Sequence, residues 1–283
     1  MRTLLLTFAA TLLCAGAYAA DPELYCADLT YDGFTTRSYT FATRGDRTLV
    51  LEIDLPEQGD AGGPRPFVVY VPGGSWRTCG IGAFRRQSAY LASQGIAGVR
   101  IVYSLVGDGA DFSAGLEEVQ AARDLVAARA GELGLDTLRF GYVAASAGTP
   151  LAADEALSQA GCRFFVGYNG IYDLTRRIDG SRFPEEGTPY LAPFSDGELR
   201  DFSPVNRIGA DPPTVALFHG RADRTISWKQ SQLFCDAVRA ADGRAEIVLY
   251  DDARHGFFNY GKSDYHEEVT RKTAAFIFSV LGE

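Results

Sequence analysis

Gly141-Tyr142-Val143-Ala144-Ala145-Ser146-Ala147-Gly148 carries a β-prone run into a serine set among small residues, and from there into a stretch of helix formers. Residues 138–145 read as a strand and 147–159 as a helix, so Ser146 falls on the turn between them. A serine hydroxyl becomes a useful nucleophile when it is held on such a sharp turn, beside a helix N-terminus and within reach of a base. Small neighbours let the turn close without a clash. The usual pattern is G-x-S-x-G, and here Ala144 replaces the first glycine. Taken alone, the segment also fits an ordinary serine N-cap at a strand-to-helix junction.

Outward from this stretch, strand and helix signals alternate. Residues 37–43 and 48–54 are β-prone around Arg44-Gly45-Asp46-Arg47 and read as an opening hairpin. Phe67-Val68-Val69-Tyr70-Val71 is a continuous apolar run of strand length, the pattern of a strand buried on both faces of a parallel sheet. Helices are expected at 83–93, at 113–133 with Ser113 as N-cap, at 228–241 and at the C-terminal end. Strands are expected at 96–103, 164–168, 214–218 and 245–250. This rhythm predicts an α/β fold, a mostly parallel central sheet with helices on both faces. In such sheets ligands bind beyond the carboxyl ends of the strands, so functional side chains are expected just after strands.

Three further segments occupy that position. The strand at 214–218 ends in His219-Gly220-Arg221-Ala222-Asp223, and the strand at 245–250 leads into Asp251-Asp252-Ala253-Arg254-His255. The order Ser146, Asp223, His255 is the nucleophile, acid, base order of one large group of serine hydrolases. Pro72-Gly73-Gly74-Ser75-Trp76 follows the buried strand at 67–71, where consecutive glycines let backbone N–H groups face a developing oxyanion. Rivals exist for two roles. His219 competes with His255 as base but sits at a strand end, where a structural place at the site floor is expected. Asp251 and Asp252 compete with Asp223 as acid. His266 is expected on the solvated side of the last helix.

With these residues in place, most of the chain resembles an α/β-hydrolase-fold serine carboxylesterase, similar to secreted acetyl and feruloyl esterases that deacylate polysaccharides. Residues 72–76 resemble that family's H-G-G-G-W oxyanion loop, 144–148 its nucleophile elbow, 219–223 its H-G-x-x-D acid segment and 255–257 its H-G-F segment. The resemblance implies Ser146 as nucleophile, His255 as general base and Asp223 as the acid that orients it. It implies an oxyanion hole from the N–H groups of Gly73, Gly74 and Ala147. It needs no cofactor and no metal. Pro72 departs from the family, whose loop histidine usually ties the loop down, so the loop must be held by proline stiffness or through Cys79. Trp76 is expected to wall the substrate pocket. Residues 171–207, rich in aromatics and prolines, are expected to form a small cap over the site.

Composition bounds the partners. The 283 residues hold 27 basic and 36 acidic side chains, a net charge of −9 that disfavours nucleic acid and anionic membrane surfaces and fits an uncharged or weakly charged substrate. Met1-Arg2, an apolar stretch to Leu13 and Ala17-Tyr18-Ala19 have the three parts of a secretory signal peptide, cleaved after residue 19. Residues 20–283 then form one domain, secreted or periplasmic, with no stable membrane insertion. In an oxidising compartment Cys26, Cys79, Cys162 and Cys235 are expected to form disulfides of undetermined pairing. The expected partner is a small-molecule or polysaccharide ester. Acyl length, alcohol half and oligomeric state are not legible. A catalytically silent binding module on the same fold, or a lipase or peptidase of that fold, stays open as an alternative.

Overall fold

The computed structural model describes residues 21–57, 63–175, 178, 181–183 and 188–282. The expected leader and part of the expected cap, at 176–177, 179–180 and 184–187, lie outside the described residues.

The opening hairpin is β1 (Phe34–Arg44) and β2 (Arg47–Pro56), longer at both ends than its β-prone cores. Next come β3 (Arg65–Val71), α1 (Arg85–Ser93), β4 (Ala97–Ile101), α2 (Phe112–Ala128), the single turn α3 (Ala130–Leu133) and β5 (Leu135–Ala145). The second half holds α4 (Thr149–Ser158), β6 (Cys162–Tyr168), α5 (Asp196–Phe202), β7 (Thr214–Gly220), α6 (Lys229–Ala240), β8 (Ala245–Tyr250) and α7 (Tyr265–Leu281). The eight strands form one sheet in the order β1-β2-β4-β3-β5-β6-β7-β8. β1 and β2 pair antiparallel, β2 pairs antiparallel with β4, and every later pairing is parallel.

The continuous apolar runs follow from helices on both faces. Phe67, Val69 and Val71 of β3 join a core with α2, α4 and α6, whereas Val68 and Tyr70 join a second core with α1 and α7. β7 divides in the same way, with Val215 and Leu217 on one face and Ala216 and Phe218 on the other. Each fully buried side chain of this kind contributes roughly 1.5–3 kcal/mol of transfer free energy.

One buried polar cluster interrupts the apolar sheet. Arg100 on β4 donates to both oxygens of Asp54 on β2, from Nε at 3.0 Å and Nη2 at 3.1 Å, and both side chains are buried. Ser88 of α1 also donates to Asp54, and Arg100 Nη1 donates to Ile81 O at 2.7 Å. Asp54, Ser88 and Arg100 thus fix α1 and the segment before it against β2 and β4.

Three expectations are corrected. The long helix starts one residue before Ser113, with Asp111 as cap: its carboxylate accepts from Ala114 N at 3.0 Å and from the Ser113 hydroxyl at 2.9 Å. His266 is buried rather than solvated. Its ring lies 2.6 Å from Tyr25 Oη and 2.7 Å from Phe258 O, because residues before β1 fold back over α7, and burial holds its pKa below the ordinary value. The four cysteines at 26, 79, 162 and 235 are all free. Cys162 opens β6 and donates to Phe164 O, Cys235 lies within α6, Cys79 follows the loop after β3 and Cys26 precedes β1, so the fold commits each thiol to a separate element.

Candidate active site

β5 ends at Ala145, and the chain turns through a single 3-10 turn, Ser146–Gly148, into α4. Ser146 has φ 49°, the left-handed region that non-glycine residues rarely occupy, and a strained backbone of this kind is found where a side chain must be held in a fixed direction. The turn closes only because its neighbours are small. A Cβ on Gly148 would lie 2.4 Å from Pro72 O, and one on Gly73 would lie 2.9 Å from both Ala145 O and Ser146 Cβ. Ala144 stays on the regular strand, paired with Val71 and Gly167, so its methyl group meets no conformational obstacle.

Ser146, Asp223 and His255 come together in one hydrogen-bonded chain. Ser146 Oγ is 3.0 Å from His255 Nε2, and His255 Nδ1 is 2.7 Å from Asp223 Oδ2. With Nδ1–H donated to the carboxylate, Nε2 is left as the acceptor facing the serine hydroxyl. Asp223 Oδ1 accepts the backbone N–H groups of Thr225 at 2.8 Å and Ile226 at 3.0 Å. Burial alone would raise the Asp223 carboxyl, but the adjacent His219 and His255 rings overcome it and hold the group well below the usual carboxylate range.

The rivals are placed elsewhere. His219 is fully buried beneath Asp223, with Nε2 donating to Ile226 O at 3.0 Å and Nδ1 facing Ser231 Oγ at 2.7 Å, and it lies 3.4 Å from Asp223 Oδ2. Asp251 is exposed and paired with Arg221, and Asp252 accepts from Tyr265 Oη. One residue escaped the sequence reading. Asn169, immediately after β6, is buried with φ 47° and donates from Nδ2 to Asp223 Oδ2. Its place just after a parallel strand is the signal that marks it, the same one that marks the four segments read from the sequence.

Gly73 and Gly74 line the cleft in front of Ser146, and no carbonyl or side chain among the described residues takes either N–H. Ala147 follows Ser146 in the 3-10 turn. The loop is held without a histidine and without a disulfide. Tyr103 Oη donates to Pro72 O at 2.9 Å, Val106 N donates to Trp76 O at 2.9 Å, and Arg77 N and Thr78 N close a turn on Gly74 O. The Cys79 thiol is pushed up to about 11 by burial, so it stays protonated near neutral pH.

Trp76 is buried. Its ring stacks on Tyr190 at 5.2 Å between centroids and 7° between planes, and meets the Phe112 ring edge-on. The same side chain borders a pocket of about 70 Å³ next to Ser146, shared with Ala147, Ile171, Phe183 and Ile226. On the other side of Ser146 opens a broad cleft of about 1150 Å³ that includes Pro72, Gly73, Gly74, His255 and Tyr260. Among the described residues no helix is long and apolar enough to cross a membrane.

Comparison with known proteins follows the same outline. A family model described as BD-FAE matches residues 51–173, and one described as the dienelactone hydrolase family matches residues 203–283. The isoprenylcysteine alpha-carbonyl methylesterase ICME of Arabidopsis thaliana is 28% identical over 259 residues, 77% of this chain and 58% of that protein. This chain therefore spans little more than half the length of that relative. Among solved structures, Thermogutta terrifontis esterase 2 phosphonylated by sarin superposes with a TM-score of 0.76 at 23% identity, covering 87% of this chain and 95% of the other. The propionate-bound form of that esterase gives a TM-score of 0.74 at 25% identity, covering 88% and 95%.

Proposed function

We propose that this chain, which has the α/β-hydrolase fold, is a serine carboxylic ester hydrolase acting on short acyl esters. The observation that carries the reading is the unbroken relay from Ser146 Oγ through the His255 ring to Asp223. In the first half-reaction Ser146 Oγ bonds to the acyl carbon as its proton passes to His255 Nε2, and the carbonyl oxygen becomes an oxyanion facing the N–H groups of Gly73, Gly74 and Ala147. The bond to the alcohol then breaks, and His255 returns the proton to the departing alkoxide. Water repeats the sequence on the acyl-enzyme and releases the carboxylic acid. Asp223 keeps the imidazole in the required tautomer and stabilises it when charged.

The pocket under Trp76 and Phe183 supports a short acyl group. At about 70 Å³ it is far smaller than the cleft of about 1150 Å³ on the other side of Ser146. Acetyl and propionyl groups match that space, and a hydroxycinnamoyl group exceeds it. The alcohol half then lies in the broad cleft on the His255 side, where a leaving oxygen can take the proton from Nε2. The breadth of that cleft and the family resemblance of the four segments support a carbohydrate ester. The leader-like first 19 residues support export to the periplasm or medium. The test is a series of 4-nitrophenyl esters of increasing acyl length beside acetylated and feruloylated xylan. The reading expects kcat/KM to peak at acetyl or propionyl, with acetate released from xylan and ferulate retained. Turnover of simple esters without release from either polysaccharide removes the carbohydrate part.

A further inference from the structure

The chain as a whole carries a net charge of −9, yet the cleft behind the catalytic base is cationic. A depression of about 680 Å³ is lined by Arg221, Arg224, Trp228, Lys229, Arg254 and His255. Asp223 is the one carboxylate lining it; it is buried and already bonded to His255. Arg221 is engaged, with its Nε 3.0 Å from Asp251 and its guanidinium 4.7 Å from the centre of the Trp228 ring. Arg224, Lys229 and Arg254 are exposed and have no carboxylate partner among the described residues. Arg224 and Arg254 are chain neighbours of Asp223 and His255, so the loops that place the acid and the base also place two guanidinium groups beside them.

We infer that this cleft is an anion subsite, and that the preferred substrates are esters whose alcohol half carries a carboxylate, sulfate or phosphate. The inference rests on the esterase reading, which places the leaving alcohol in the broad cleft; His255 borders both that cleft and this depression, so a charged group on the alcohol half would meet the cations past the His255 ring. Cations with no carboxylate partner among the described residues, in an otherwise acidic protein, make a local potential that concentrates anions at one mouth, and guanidinium forks match planar oxyanions. Trp228 adds an aromatic wall, with Arg221 over its ring. A sugar ring bearing an acid group has the matching chemistry, an apolar ring face and a negative charge.

The test compares 4-acetoxybenzoate, 4-acetoxybenzenesulfonate and 4-acetoxyphenyl phosphate with neutral 4-acetoxybenzamide, using the wild-type protein and the Arg224→Gln/Arg254→Gln variant. The amide withdraws electrons more strongly than the carboxylate, so intrinsic reactivity does not favour 4-acetoxybenzoate. The wild type should prefer at least one anionic ester by about 10-fold in kcat/KM at about 20 mM salt, and the preference should shrink at about 0.5 M salt, where charges are screened. In the variant the anionic-to-neutral ratio should fall towards one; taking a ratio cancels any loss common to both esters. The anion giving the largest ratio identifies the group. Equal kcat/KM for all four esters, or a preference that the variant retains, overturns the inference while leaving the esterase reading intact. Hydrolysis of none of them overturns both.

Discussion

His255 Nδ1 lies 2.7 Å from Asp223 Oδ2, and the other oxygen of Asp223 is bound by the N–H groups of Thr225 and Ile226. The Asp223 carboxylate is therefore fixed by its own loop, independently of the His255 ring. Asp223→Asn keeps the shape but removes the acceptor that sets the His255 tautomer, so kcat/KM for a short ester should fall about 10³- to 10⁴-fold. Steady-state kinetics of the purified variant check this.

The same carboxyl gives a pH prediction. Its native pKa lies below the unfolded value of about 3.9, so the folded state favours the ionised form. That stabilisation is complete above about pH 4 and is lost as pH falls through the native pKa. The urea midpoint of the wild type should exceed that of Asp223→Asn near neutrality, and the gap should narrow below about pH 4. A constant gap across that range would contradict the assignment of the low pKa to Asp223.

Tyr103 does for Pro72 what a loop histidine does in the family that this chain resembles. Its buried hydroxyl donates to Pro72 O, and Tyr103→Phe leaves that carbonyl unsatisfied, a cost of about 1–3 kcal/mol. Because the loop carries Gly73 and Gly74, kcat should drop with little change in KM, by less than the roughly 10²-fold expected for losing an oxyanion donor outright. Urea unfolding and short-ester kinetics together separate the two effects.

Phe183 closes the small pocket beside Ser146. Phe183→Ala should enlarge it and raise the butyrate-to-acetate ratio of kcat/KM by about 10-fold, within the range that one or two methylenes command in an apolar pocket. An unchanged ratio would move the acyl group to the broad cleft.

Far from the chemistry, Asp54→Ala should destabilise the protein by about 3 kcal/mol, the lower end for breaking a buried pair, since Glu52 remains 2.8 Å from Arg100. Equilibrium unfolding in urea measures it. Activity per folded molecule should hold, because the pair lies between β2 and β4 and Ser146 follows β5.

These contacts also show what the chain declares locally and what it withholds. The buried strands read as apolar runs, and a serine, an acid, a histidine and a glycine pair, each just after a strand, are enough to locate the site. Asn169 follows the same rule, but an Asn-Gly step after a strand also reads as a plain turn. Trp76 was legible as a neighbour of the site but its packing was not, since Tyr190 and Phe112 reach it from distant segments. His266 falls on a helical position that looks polar until residues before β1 cover it. The cysteines misled for a related reason: their number permits pairing, whereas pairing depends on which elements the fold brings together. The cation cleft escaped because its members are spread over the loops after β7 and β8 and the start of α6, within a chain whose total charge has the opposite sign.

On the proposed mechanism Ser146 is an activated nucleophile. Intact-mass measurement after treatment with a fluorophosphonate tests it most directly. The wild type should gain one phosphonyl group per chain, mapped to Ser146, with parallel loss of ester hydrolysis, and Ser146→Ala should gain none. An unlabelled wild type, or a Ser146→Ala variant that still labels and hydrolyses esters, would contradict it.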